Sequence, residues 1–537
     1  MKAFPDFHQN SDLMAEFATD SYSSHRTQYW SPDPVLYGTE GLVGLVNATD
    51  TPLLLYHCFW TPTTEALYRQ QGMNFSFVPG VTFRQRETQR STLFQIHPED
   101  AHDFFKHIFG VYMKQGVMMA AEVDFLNWSQ LTVPAIFSVL DGGHEFLDGL
   151  ASAALSHGIS HQLCMSLPSQ IMDTLLLPAV TNARASPDNT PGRFDYRWRI
   201  GYTSLLMWPL DVQPFFDNTW TESVESPEYG TNRTDVQLQV IVSILSAGPH
   251  GIGDALGHTN ATRVLQTCTQ DGSLLHADKP ATPIDAMFSP SAPFRPAGEI
   301  WQTHVRLGDW LWRYVLAVDV NESFALHTQH LWPPGNATAS SRDDMLTSAV
   351  VMPWHSRHAC AGVTGCVRPW EASKLFSVQT GSEFSGRGEN GFDLLVVAPT
   401  VWTAAGHGIA LLGETAKVVS VSGNRFFDMA RTESGLGFEL RGAPGETVHL
   451  SFVTFATPTA AGVQRTRSVR LGERGTSERV VLPDMISLKT DDSAKSSELD
   501  VHREALVVGD ERTVSQRAQH LTAWPAQPGQ VLRESHA

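Results

Sequence analysis

The chain has 537 residues, of which 42 % are apolar and 18 % charged; 38 Lys and Arg face 56 Asp and Glu, a formal net charge of −18. A composition of this kind allows a large buried core in two or three domains and excludes wholesale disorder. The negative balance argues against nucleic acid or an anionic membrane as partner, and no run of about 18 apolar residues exists that could insert as a spanning helix.

In chain order, residues 1–49 read as an irregular N-terminal segment. From about 50 to 295, short apolar runs alternate with longer amphipathic ones. Leu53-Leu54-Leu55-Tyr56-His57-Cys58-Phe59 reads as a buried strand. Residues 98–115 read as a helix, with Phe104, Phe105, Ile108, Phe109 and Tyr112 at helical spacing and acids in the first turn. A strand from Gly116 ends at Asp124, a helix follows near 144–157, and strands are expected near 161–166, 179–185 and 203–208. A short helix near 233–240 leads to a strand at about 241–247, then to Gly251-Ile252-Gly253-Asp254 and a helix over about 259–268. Such β and α units, with polar residues just past many strand ends (Asp124, Ser166, Asp188, Asp211, Asp217, Asp254), predict a (β/α)8 barrel of the TIM type.

Beyond about 296 the texture changes to alternation. Residues 301–306, 310–316, 392–397, 416–421 and 448–453 read as strands punctuated by Gly and Pro, so 296–485 is expected to be an antiparallel β-sandwich. Residues 486–537 are polar and expected to be disordered. Two glycine patterns are set aside. Gly386-x-Gly388-x-x-Gly391 precedes a strand rather than a helix, and Gly251-x-Gly253 with Gly257 has the wrong spacing for a pyrophosphate turn.

Asn47, Asn74, Asn127, Asn232, Asn260, Asn321 and Asn336 each begin an N-x-[S/T] triplet, seven of 13 asparagines where chance gives roughly two. That density points to the secretory pathway or the extracellular space, although Met1-Lys2-Ala3-Phe4-Pro5-Asp6 leads into no apolar signal region. A glycan on Asn127, three residues past Asp124, would crowd the strand end, so that triplet is expected to stay unused. Of five cysteines, Cys58, Cys164 and Cys268 read as buried thiols. Cys360 and Cys366 are close enough for a small disulfide loop; with His355 and His358 they also spell a zinc pattern, though one that fits no standard finger, and no metal is expected.

Cleaving a glycosidic bond takes two carboxyl groups, and strand-end carboxylates of a barrel converge on one pocket. Spacing alone leaves several acids eligible. The segment Gly116-Val117…Glu122-Val123-Asp124-Phe125 resembles the G-V-D-x-V-K-V-D strand of the raffinose synthases and alkaline α-galactosidases. Cys164-Met165-Ser166 resembles their C-M-S, Arg184-Ala185-Ser186-Pro187-Asp188 their R-A-S-D-D, and Gln213-Pro214-Phe215-Phe216-Asp217 their Q-P-D-W-D. Ser246…Gly253-Asp254…Gly257 and Asp271-Gly272-Ser273-Leu274-Leu275 follow in family order, and Trp402…Lys417 resembles a late strand pair. Leu54-Leu55-Tyr56-His57-Cys58-Phe59-Trp60 resembles the third barrel strand.

The resemblance implies a retaining glycoside hydrolase or transglycosylase acting on an α-linked, galactoside-like sugar. Asp124 would be the nucleophile and Asp188 the acid/base, about 5–5.5 Å apart. Glu122, Trp60, Ser166, Arg184, Asp217 and Asp254 would line the oligosaccharide or glycoside site, and no cofactor is needed. Glu122 stands where the family has Lys, Pro187 where it has Asp, and Leu167-Pro168-Ser169 replaces polar residues. The first two strands, with W-C-T-W-D and I-D-D-G-W, are expected upstream of a chain that begins too late to hold them. The competing expectation is a non-catalytic carbohydrate-binding or structural pseudoenzyme of the same fold.

Overall fold

Where apolar side chains recur at helical spacing, the computed structural model has the helix Pro98–Lys114. His97 caps its N-terminus, Glu99 and Asp100 face the positive end of its dipole, and Lys114 sits at the negative end. Its buried stripe (Phe104, Phe105, Ile108, Phe109, Tyr112) packs on the helix Gly142–Ser156. Each fully buried Phe contributes about 2–3 kcal/mol. The two helices approach closely at Gly149, where a Cβ would stand 2.7 Å from that of Ala101. The structure describes residues 26–27, 38–86, 89–189, 196–222, 236–255, 257–288, 298–320, 322–331, 348–356, 367–371, 376–378, 380, 391–472 and 477–482, all within one compact unit, Met1–Pro483.

The first strands along the chain are β1 (Arg26–Thr27), β2 (Leu53–His57), β3 (Phe59–Trp60), β4 (Phe77–Arg86) and β5 (Gln89–Ile96). They are followed by β6 (Met118–Val123), β7 (Ser160–Leu163), β8 (Val180–Arg184) and β9 (Gln213–Phe215). Strands β2, β6, β7, β8 and β9 form a parallel sheet in that order. A separate sheet, β1-β3-β5-β4, includes the β4–β5 hairpin.

On one face of the parallel sheet lie His57, Val123, Leu163, Ala183 and Pro214, in register from strand to strand. His57 packs against Phe105 (ring centroids 4.9 Å) of the long helix and lies 6.1 Å from His161. That face is therefore the helix-covered core.

Two runs expected as barrel strands are helical. Residues 203–208 lie in the helix Tyr196–Met207 and its following turn, and 241–245 close the helix Val236–Leu245. Every residue of the second helix except Gln237 is buried, so it has no polar stripe to reveal its period, and its β-branched residues read as a strand. Among the described residues the ladder runs from β2 to β9 with no closing pair, extended only by a parallel bridge between Thr219 and Ile252. Among the described residues the expected barrel shows as a five-stranded parallel sheet. The helix near 259–268 shrinks to Ala261–Val264.

The later chain supplies β10 (Thr282–Pro283), β11 (Glu299–Leu307), β12 (Trp310–Val318), β13 (Phe324–Leu326), β14 (Ser348–Pro353), β15 (Arg368–Glu371) and β16 (Phe376–Val378). Then come β17 (Phe392–Trp402), β18 (Gly408–Gly413), β19 (Phe426–Arg431), β20 (Leu436–Arg441), β21 (Thr447–Phe455), β22 (Val463–Arg470) and β23 (Ser477–Leu482). A large antiparallel sheet runs β10-β11-β12-β17-β18-β21-β22, with β14 joined to β17 and to β15. Strands β19-β20-β23 make a second sheet and β13-β16 a third. Buried Trp312 and Tyr314 of β12 satisfy their polar tips on the carbonyls of Leu411 (2.7 Å) and Val421 (3.0 Å).

The expected strand at 416–421 is turn and bend. Its valines are buried, while Lys417 extends its ammonium to the carbonyls of Leu265 (2.6 Å) and Cys268 (2.7 Å). The Gly386–Gly388 pattern, Cys360, Cys366, His358 and the tail from 486 lie outside the described residues. No described helix is long and apolar enough to cross a membrane.

Candidate active site

At the carboxyl ends of the parallel strands the chain places one polar group after another. Asp124 follows β6, and its N–H still donates to His57 O of β2 (3.0 Å). Phe125 then turns into the left-handed region (φ 55°) and opens the helix Leu126–Thr132. That sharp turn lets Phe125 N–H donate back to Asp124 Oδ1 at 2.6 Å. Tyr56 Oη donates to Asp124 Oδ2 at 2.8 Å. Both oxygens of a nearly buried carboxylate are thereby fixed, by donors from β2 and from the turn after β6.

The phenol and the thiols around Asp124 keep their protons. Burial, reinforced by the charge of Asp124, pushes the Tyr56 phenol and the Cys164 thiol well above their ordinary values and Cys58 up to about 12. Neither thiol is a nucleophile at neutral pH, because the thiolate is the reactive form.

Arg184 ends β8. Its guanidinium meets Asp217 at 2.7 Å and Asp188 at 2.9 Å. Burial opposes its charge, and the carboxylates of Asp217, Asp124 and Asp188 favour it. Both proposed working carboxylates thus lie within electrostatic reach of one cation. The Asp188 side chain is 48 % exposed where that of Asp217 is 5 %.

Asp217 is buried within a network of loop hydrogen bonds. Its Oδ2 accepts from Asn189 N–H (2.8 Å) and Asn218 Nδ2 (3.1 Å), and its own N–H donates to Ser186 Oγ (3.0 Å). Asn189 Nδ2 donates in turn to Asn218 O (2.7 Å) and Gln239 Oε1 (3.0 Å). Asp217 therefore clamps the Ser186–Asn189 loop that carries Asp188.

Asp254 is likewise a loop fastener. It accepts from Thr221 N–H (2.7 Å) and Thr221 Oγ1 (2.5 Å), and burial pushes its carboxyl above the usual range. None of these partners belongs to the Arg184 group. Trp60, expected to face a sugar, is wholly buried with its ring edge-on to Phe77 and Phe104; its size and apolar surface make it core. Glu122 is buried on β6, two residues before Asp124. Ser166 follows Met165, whose φ of 49° bends the chain after β7, and its buried Oγ has no hydrogen-bond partner. Among the described residues no three His, Cys, Asp or Glu side chains are grouped to hold a metal ion.

Sequence reasoning missed Tyr56, Ser186 and Asn189. Tyr56 had a signal: strand alternation turns it away from His57 and hence away from the core helix, toward the side that Asp124 occupies. Ser186 and Asn189 had none, since a loop clamp has no periodicity.

No known family profile and no curated protein matches the chain. Among solved structures, it is similar to a GH31 family sulfoquinovosidase from E. rectale in complex with an aza-sugar inhibitor. The TM-score is 0.35 and the identity 9 %, covering 71 % of this chain and 55 % of that one. The chain thus spans about half the length of that structure.

Proposed function

We propose that the chain is a retaining glycoside hydrolase or transglycosylase, acting on an α-linked, galactoside-like sugar through Asp124 and Asp188. The observation that carries this reading is the fixed carboxylate of Asp124 at a strand end, one arginine away from the exposed carboxyl of Asp188. In this reading residues 50–295 belong to a (β/α)8-type catalytic domain and 296–485 to a β-sandwich. The sequon density supports a place in the secretory pathway or outside the cell.

Asp124 attacks the anomeric carbon as the leaving oxygen takes a proton from Asp188, giving a glycosyl ester. Water or an acceptor sugar, deprotonated by Asp188, then releases Asp124. Tyr56 and Phe125 N–H hold the attacking oxygens in one orientation, which lowers the entropic part of the barrier. Arg184 ties Asp188 through an ion pair that its exposure makes easy to break, so the side chain is free to swing onto a leaving group.

The test is turnover of para-nitrophenyl α-glycosides by the wild type and by Asp124→Asn. We expect a loss of about a thousandfold or more, with proton NMR showing the product first released as the α-anomer. Equal slow turnover by both proteins instead supports the non-catalytic reading, which the buried position of Trp60 favours by removing a sugar platform.

A further inference from the structure

Beneath the carboxylates the parallel sheet carries a second polar tier. Tyr56 of β2 pairs with Glu122 of β6, Glu122 with Gln162 of β7, Gln162 with Asn182 of β8, and Asn182 with Gln213 of β9. In-register residues of a parallel sheet point to the same face, so these five form one transverse row. It is the face of Asp124, because Tyr56 reaches that carboxylate, and the face of Arg184, two residues on from Asn182. The opposite face at the neighbouring rung is His, Val, Leu, Ala and Pro.

This composition is unusual for its position. Buried strands of a parallel sheet are dominated by bulky branched apolar side chains. Here the row is Tyr, Glu, Gln, Asn and Gln, with Glu122 1 %, Gln162 6 % and Asn182 8 % exposed. Buried polar atoms in native proteins almost always have partners. Yet Asn182 Oδ1 is buried without one, its Nδ2 being spent on Thr181 Oγ1 (3.0 Å), and so is Nε of the nine-tenths-buried Arg184. An orphaned acceptor and an orphaned donor thus sit two residues apart on one face of one strand. That spacing suits a group that both donates and accepts.

We propose that this tier is the floor of a sugar-binding subsite. Asn182 Oδ1 and Arg184 Nε–H receive one ring hydroxyl, and Gln162 with Glu122 addresses its neighbours. The inference rests on the proposed glycosidase reading and adds the substrate class: a hexose with free hydroxyls on its inward edge, rather than a deoxy or O-substituted ring. The tier lies about 7 Å below the Asp124 level, two residues along the strand, which is about the depth of one sugar ring. Amides suit the task because each donates and accepts, as a hydroxyl does. A site built to bond a hydroxyl rejects the analogue lacking it far more strongly than an apolar pocket can.

The experiment measures calorimetric binding of D-galactose, D-glucose and their monodeoxy analogues, together with para-nitrophenyl α-glycoside kinetics. The proteins are the wild type, Asp124→Asn, Asn182→Leu and the near-isosteric Gln162→Met, which carries the same test should Asn182→Leu fail to fold. We expect the wild type to prefer a hexose over at least one monodeoxy analogue. The tier variants should bind that hexose at least tenfold more weakly, lose the preference, and raise KM about tenfold with kcat within a few-fold. A merely structural role would not move the hexose-to-deoxyhexose ratio.

If Asp124→Asn abolishes turnover while both tier variants bind every sugar as the wild type does, the tier holds only water. The subsite proposal is then overturned and the glycosidase reading stands. If sugars bind and the tier variants lose them but turnover is absent or indifferent to Asp124, the subsite stands and the glycosidase reading fails. A wild type that neither binds nor turns over any of these sugars overturns both.

Discussion

Two arginines in this molecule each bridge a pair of acids, and they differ in what is left open. Arg425, on the antiparallel side, is wholly buried between Glu414 and Glu446. Its Nε and Nη2 both reach Glu414 (2.6 and 3.3 Å), while Nη1 and Nη2 reach Glu446 (3.0 and 2.6 Å), and Nη1 also reaches Arg441 O (2.6 Å). Arg184 has one buried partner, Asp217, one half-exposed partner, Asp188, and an Nε with no partner. The first is a closed knot whose every donor is spent within the protein. The second keeps a carboxyl and an N–H in reserve, the pattern expected where a ligand completes the bonding.

Removing each arginine should break that comparison in opposite ways. Arg184→Met is predicted to lower turnover about a thousandfold, measured on an aryl α-glycoside, because Asp188 loses its tether and the Asp217 clamp loses its centre. Arg425→Met is predicted to cost about 3–5 kcal/mol in urea unfolding, because two glutamates are left buried without their counter-charge. Equal effects of the two substitutions on activity and stability would show that the sites do not differ in kind.

Asp217→Asn sharpens the comparison further. The amide retains its size but weakens the ion pair that holds the Ser186–Asn189 loop. It should lower kcat about tenfold to a hundredfold with KM nearly unchanged, as for a positioning residue. Rescue toward wild-type kcat by Asp217→Glu would support an electrostatic clamp, while a changed KM alone would place Asp217 on the substrate.

Tyr56→Phe removes one of the two donors to Asp124, so a smaller loss, about tenfold in kcat, is expected from steady-state kinetics. No change would mean that Phe125 N–H suffices to hold the carboxylate.

The smallest effects concern pH. Burial holds His161 down to about 3 and His250 to about 4, below the unfolded value near 6.5, so the unfolded chain binds more protons in acid. Stability is therefore full above about pH 6.5 and falls as pH drops toward 4, by up to roughly 1.4 kcal/mol per pH unit for each buried histidine. Denaturant midpoints measured between pH 7 and 4 should decline accordingly, and His161→Phe should flatten the decline.

Much of this architecture was legible in the sequence, and the reasons differ by element. The Pro98–Lys114 helix announces itself by period and capping, while an acid just past β6 and an arginine at the end of β8 mark those strand ends. The Val236–Leu245 helix was misread because burial nearly all round erases its period, and Ala416–Val421 because three buried valines in a turn imitate a strand. Asp124, Arg184, Asp217 and Asp254 were singled out by motif, but a strand-end acid says nothing about whether ligand or loop satisfies it. Trp60 was misassigned because aromatic size serves core and sugar platform alike. The polar tier from Tyr56 to Gln213 was invisible, since it exists only across strand register.

The central claim is that Asp124 becomes covalently bonded to a sugar. An activated fluoro-glycoside of whichever sugar is turned over would trap that ester, and peptide mass spectrometry would locate it. The account predicts one added glycosyl group on the peptide containing Asp124, absent in Asp124→Asn. Label on another carboxylate, or time-dependent inactivation that persists in Asp124→Asn, would contradict it.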